Sequence, residues 1–94
     1  MEIQHQEEEG KRGEFYYVRD NKKMASMTYS RAGSDKIIID HTEVDPALQG
    51  EGIGYKLVEA AVVYAREHNL KIMPLCPFAA AVFRKKQEYN DVKL

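Results

Sequence analysis

The sequence has one cysteine, Cys76, and no tryptophan. One cysteine cannot close an internal disulfide, and it cannot build a cysteine-rich zinc site. The three histidines are scattered, so no metal-ligand spacing emerges and no metal is expected. Excess charge of either sign is also missing. A formal net charge of -1 over 94 residues offers no electrostatic footprint for nucleic acid. No apolar run approaches the ~18 residues that a membrane-spanning helix needs, so no membrane partner is expected. Residues 1–10 are polar and acidic, unlike a secretory leader. A free thiol without a leader points to a reducing cytoplasm. What remains is ordinary for a globular chain, with 44% hydrophobic and 31% charged residues. It suffices for one modest core and a single domain over 1–94, without repeat or linker.

The polar stretch Ile3–Glu9 reads as a short edge strand or a loose end, with His5 in a disordered terminus. Gly10-Lys11-Arg12-Gly13 is a turn signal. Glu14–Arg19 is aromatic and β-branched, hence a strand, and Lys23–Ser30 reads as its returning partner. Asp20-Asn21 between them supplies hairpin turn chemistry. Arg31–Asp35 is a loop. Lys36–Val44 is the strongest strand, and its isoleucine run predicts burial on both faces. After the glycines, Ile53, Leu57, Val58, Ala61, Val62 and Ala65 recur at helical spacing and form a wide apolar stripe. That helix should span Tyr55 to His68, with His68 as a dipole partner and Asn69 as a left-handed stop. Leu70–Cys76 follows as a strand, joined right-handed to a parallel neighbour. Pro77 suits a first helical position. A second helix should run from about Phe78 to Tyr89, with Asn90–Leu94 fraying. These expectations describe an α/β domain with a mixed, mainly antiparallel sheet, one β-α-β crossover and a C-terminal helix.

The chain is organised around Asp45-Pro46-Ala47-Leu48-Gln49-Gly50-Glu51-Gly52-Ile53-Gly54. Strand, glycine turn, helix is a phosphate-binding order. Glycines let backbone approach an anion, and the helix start offers free N–H groups at the positive end of its dipole. A tight turn that binds nothing would look the same. Two other glycine loops are excluded. A P-loop needs Lys then Ser or Thr after its last glycine, and Gly54 is followed by Tyr55-Lys56. The dinucleotide fingerprint needs a further glycine or alanine where Tyr55 or Leu57 stands.

Cys76 is either an inert small hydrophobe or a nucleophile. A predicted helix start would stabilise its thiolate, and the C-terminal end of a parallel strand is where open α/β sheets place ligands. His41 is either structural or a base near neutral pH. It lies on a strand expected to neighbour the one ending at Cys76. Glu43, two residues on, shares its face and is the alternative base. Arg84-Lys85-Lys86 is a solvated face or a weak reach toward phosphates.

Gln49-x-x-Gly52-x-Gly54, between a central strand and a long helix, resembles the acyl-CoA pyrophosphate loop of the GNAT superfamily of N-acyltransferases. The likeness runs over 37–84. His41-Thr42-Glu43-Val44 enters the loop, and Pro74-Leu75-Cys76-Pro77-Phe78 follows the next strand. The Pro-x-Cys-Pro element is similar to a minimal GNAT-like branch of small stand-alone domains. The resemblance implies a truncated GNAT-like fold, acetyl-CoA or coenzyme A as cofactor, and an amine or protein acceptor. The coenzyme would be held at Val44, Gln49, Gly50, Glu51, Gly52, Ile53, Gly54, Tyr55, Lys56, Pro77 and Phe83. Val44 would hold the thioester carbonyl, and Cys76 with His41 would match the branch's proposed catalytic pair. Typical members carry further helices and strands that shape the acceptor site, and these have no counterpart here. Acetyl transfer and mere coenzyme binding both fit, in a monomer or weak dimer.

Overall fold

The computed structural model describes residues 2–94. Its left-handed residues are glycines, asparagines and Asp20, with Glu9 the exception among the described residues. Asp20 and Asn21 take φ of 53° and 62°, values that Asp and Asn tolerate better than most residues. They join β2 (Arg12–Arg19) to β3 (Lys22–Ala32) with Arg19 opposite Lys22. Another turn links β1 (Gln4–Glu8) to β2, and β4 (Lys36–Val44) pairs with β3. Helix α1 (Ile53–His68) then crosses over to β5 (Lys71–Pro74), which runs parallel to β4. Asn69 closes α1 in the left-handed conformation, as its position predicts. Helix α2 (Pro77–Lys85) follows. The sheet order is β1-β2-β3-β4-β5, the expected mixed sheet. No helix among the described residues is long and apolar enough to cross a membrane.

The helices cover one face of this sheet. Phe15, Ala25, Met27, Tyr29, Ile37, Ile39 and Ile72 point into the core, against Leu57, Val58, Ala61, Val62 and Ala65 of α1 and Ala79 and Val82 of α2. Ile38, between two fully buried isoleucines, is only half-buried. The expectation of burial on both faces is therefore corrected: strand alternation sends Ile38 to the uncovered face.

A β-bulge sits in β4. Tyr29 pairs with Ile39, but Thr28 pairs with His41, which leaves Asp40 as the extra residue. Asp40 receives hydrogen bonds from Thr28 Oγ1 at 2.5 Å and Ser30 Oγ at 3.3 Å. The extra residue reverses the alternation beyond it. Thr42 now pairs with buried Met27 on the core side, while His41 and Glu43 pair with Thr28 and Ser26 on the open side.

Two segments expected to be loose, around His5 and over 90–94, are packed against the rest of the fold. The segment expected to fray is docked: Ile72 N–H donates to Val92 O at 2.6 Å, Leu94 N–H donates to Ile72 O at 2.9 Å, and Val92 is buried. Arg66 grips Asp91 through two hydrogen bonds, at 2.9 and 2.8 Å. Helix α2 correspondingly stops at Lys85, with a short 3-10 turn over Gln87–Tyr89. His5 is likewise not disordered. It stacks on Phe15 at 4.3 Å, with its Nε2 2.6 Å from Tyr29 Oη. Tyr29 donates to Glu7 at 2.7 Å, Tyr64 donates to the same oxygen at 3.0 Å, and Arg31 donates to Tyr64 at 2.7 Å. Tyr29 spends its only proton on Glu7, so His5 Nε2 is the donor to Tyr29.

This network makes stability pH-dependent. Lost solvation lowers the His5 pKa, against an opposing pull from Glu7, with His68 and Arg31 adding to the lowering. Burial alone would raise Glu7, but hydrogen bonds from Tyr29 and Tyr64 and the nearby Arg31 charge hold it below its ordinary value. Both folded-state pKa values are depressed. Each group therefore contributes stability above its unfolded pKa and loses it as pH falls toward the folded one. Urea unfolding should show stability declining from about pH 6.5 and again below about 4.5. Glu7→Gln should shrink the lower stage, leaving the part that comes from Asp91, whose carboxyl Arg66 also holds below its ordinary value. An unchanged acid limb in that variant would contradict the assignment.

Candidate functional site

Beyond Val44 the chain turns sharply. Asp45 accepts a hydrogen bond from Ala47 N–H at 2.8 Å and caps a 3-10 turn over Pro46–Leu48, and Leu48 anchors it in the core. Gly50 and Gly52 then take φ of 88° and 74°, where a side chain would be strained. Gly52 is also the N-cap of α1, and no side chain caps that end. The N–H groups of Ile53, Gly54 and Tyr55 are thus without an acceptor among the described residues, the arrangement that suits an anion. Gln49, Gly50, Glu51, Gly52, Tyr55 and Lys56 lie at the exposed rim. Ile53 turns its side chain inward, so only its backbone can serve a ligand.

Cys76 is the N-cap of α2, with Pro77 in the first position. Its backbone N–H donates to Ile39 O at 3.1 Å, which holds it at the mouth between β4 and β5. The side chain is only 5% exposed, and Sγ lies 3.4 Å from Thr42 Oγ1, to which the thiol donates. Burial pushes the thiol pKa up. The Thr42 hydroxyl, which rotates to donate once the thiol ionises, outweighs it together with the backbone N–H groups of Ala79, Phe78 and Thr42, and the thiol falls below its ordinary value.

The two helix starts meet. A side chain at Gly54 would come within 2.4 Å of Phe78 Cζ, and Tyr55 meets the Phe78 ring edge-on at 6.0 Å. The glycine loop and Cys76 therefore share one corner of the molecule. Lys85 leans over it, donating to Tyr55 Oη at 3.4 Å, and Lys86 stands 5.9 Å from the Tyr55 ring.

Not every expected residue arrives there. His41 stands across the sheet from Cys76, on the open face, with Nε2 3.7 Å from Glu43 Oε1 and both side chains well exposed. The His41–Cys76 pairing is corrected for a physical reason: the Asp40 bulge turns Thr42 inward in place of His41. Phe83 is a core residue, 1% exposed and edge-on to Tyr89, with no surface for a coenzyme. Thr42, the actual neighbour of the thiol, carried no signal in the sequence beyond its place beside His41.

The family model described as GCN5-related N-acetyl-transferase matches residues 4–92. The solution structure of a GCN5-like protein from Staphylococcus aureus is 40% identical, superposes with a TM-score of 0.75, and aligns over 99% of this chain and 87% of its own. A predicted acetyltransferase from Clostridium acetobutylicum, solved with acetyl-CoA, shares 21% identity and a TM-score of 0.65 over 79% of this chain and 55% of its own. The ribosomal-protein-S18-alanine N-acetyltransferase of Escherichia coli shares 17% identity and a TM-score of 0.64, over 77% and 49%. The chain thus spans about half the length of these last two, whose likeness concerns the fold. No curated protein gives a significant match.

Proposed function

The chain belongs to the family of GCN5-related N-acetyl-transferases, and we propose that it binds acetyl-CoA at the glycine loop and passes the acetyl group on, through Cys76, to an amine or protein acceptor. The observation that carries this reading is the uncapped start of α1, packed through Gly54 and Phe78 against the helix start that holds Cys76. The pyrophosphate would lie on the free N–H groups of Gly50 and of Gly52 to Tyr55, since those of Gln49, Glu51 and Lys56 already donate to carbonyls of the chain, with Pro77 at the rim. The backbone near Val44 would face the thioester carbonyl. Residues 1–94 would work as one domain of the minimal kind marked by Pro74-Leu75-Cys76-Pro77.

In the covalent route the Cys76 thiolate attacks the thioester carbon. The bond from that carbon to the coenzyme sulfur breaks, and the coenzyme leaves as a thiol after taking up a proton. An amine then attacks acetyl-Cys76, which forms the amide and frees the thiol. In the direct route the amine, arriving unprotonated, attacks acetyl-CoA itself while Cys76 lines the site; His41 and Glu43, the bases expected from the sequence, stand on the other face of the sheet. One observation favours a second reading, a coenzyme A-binding module without turnover: the expected base, His41, is not on the thiol's face. The first test is an acetyl-CoA titration followed at each backbone amide. Shifts should concentrate at 44–56 and 76–79. Saturable shifts that spare both segments would overturn the reading.

A further inference from the structure

Glu51 is out of place in an anion site. It stands exposed between Gly50 and Gly52, where a carboxylate would repel a pyrophosphate. Compensation comes from the tip of the β2–β3 hairpin. Arg19, the last residue of β2, donates Nη2 to Glu51 Oε1 at 3.0 Å and Nη1 to Oε2 at 3.5 Å. Its Nε donates to Tyr17 Oη at 3.0 Å, and its guanidinium lies 5.3 Å from that ring's centre, which fixes where the other nitrogens point. Lys22, opposite Arg19 across the two-residue turn, reaches to 4.0 Å from Asp45 Oδ2 at the other end of the loop. The hairpin tip thus sets one cation against each of these two loop carboxylates. Exposed ion pairs contribute little to stability, so folding alone does not account for the placement.

We infer that Arg19 is a specificity determinant of the coenzyme site: by pairing with Glu51 it cancels the carboxylate charge between Gly50 and Gly52 that would turn phosphates away. The inference rests on the coenzyme reading above. It names the part of the ligand concerned, since only the phosphorylated portion of coenzyme A should sense the pair, and the phosphate-free pantetheine arm should not.

The test is a cycle of wild type, Arg19→Gln, Glu51→Gln and the double variant, with coenzyme A and pantetheine titrated separately into each full chain. Arg19→Lys serves as the charge-conserving control. Arg19→Gln should weaken coenzyme A about tenfold and leave pantetheine unchanged. Glu51→Gln should bind at least as tightly as wild type. The double variant should recover to within about threefold of wild type, because the repulsion has gone with its source. Arg19→Lys should retain most of the affinity. The inference is overturned if Arg19→Gln binds coenzyme A normally, if pantetheine weakens in parallel, or if the double variant stays as weak as the single. Absence of coenzyme A shifts at the loop of the wild type is a different result and overturns the coenzyme reading itself.

Discussion

Acetyl-CoA mixed with the protein in the absence of any amine should leave an adduct of about 42 Da, which hydroxylamine removes and Cys76→Ala abolishes. Three features of the site argue for it. Cys76 caps a helix that offers it backbone N–H groups, Thr42 stands within hydrogen-bond reach, and the thiol pKa is lowered despite burial. A lowered pKa means more thiolate at neutral pH, and thiolate is the attacking form. Exchange between two thioesters is also close to balanced, so the adduct can persist and still be passed on. The geometry then separates two neighbours in sequence. Thr42→Val keeps the shape and removes the hydroxyl. It should slow acetylation at pH 7, with the rates converging toward wild type at alkaline pH, where the thiol ionises without help. Thr42→Ser should restore the neutral rate. His41→Ala should leave adduct formation unchanged, because its ring stands on the far side of the sheet. Time-resolved intact-mass measurement reads all of these. An adduct-free protein that still acetylates an amine after Cys76→Ala would establish the direct route.

The contrast between His41 and Thr42 marks where reading a sequence stops. Strand alternation carried from Ile37 and Ile39 would turn His41 to the core and Thr42 to solvent. One extra residue, Asp40, reverses that order. A bulge depends on how two strands register, so it is invisible in either strand alone. The isoleucine run misled for a related cause. Apolar content does not say whether a second layer exists, and here Ile38 faces none. Local chemistry was legible where one residue decides it: Asp20-Asn21 in its left-handed turn, Asn69 ending α1, Pro77 opening α2, and the glycines between β4 and α1. The docking of Val92 and the stacking of His5 are contacts made at long range, and a polar local composition gives no sign of them. Of the candidate site, the placement of the glycine loop before α1 and of Cys76 before α2 was legible. The partner of the thiol and the pairing of Arg19 with Glu51 needed the folded sheet.

Gly54→Ala should damage both fold and site, for a reason unlike that of its neighbour. Gly52 needs glycine for its backbone: φ is 74°, yet nothing lies within 4 Å of an added side chain. Gly52→Ala should therefore cost about 1 kcal/mol of strain with the surroundings undisturbed. Gly54 takes no left-handed φ, and alanine is the better helix former there by up to about 1 kcal/mol. What Gly54 supplies is room, since a methyl group would sit 2.4 Å from Phe78 Cζ and 2.8 Å from Cε2. Overpacking of this kind costs about 1–3 kcal/mol, enough to outweigh the helical gain. The displaced ring belongs to the first turn of α2, whose N–H groups favour the Cys76 thiolate, so the strain should reach the thiol as well as the loop. Urea unfolding should place Gly54→Ala below Gly52→Ala. Titration should show coenzyme A weakened more by Gly54→Ala, and Cys76 should alkylate more slowly at pH 7 in that variant alone. Phe78→Leu, which removes the ring tip, should make Gly54→Ala less costly in the double variant by more than about 0.5 kcal/mol. A Gly54→Ala protein with unchanged stability and thiol reactivity would show that Phe78 can move away freely, and that the two helix starts are not coupled through this contact.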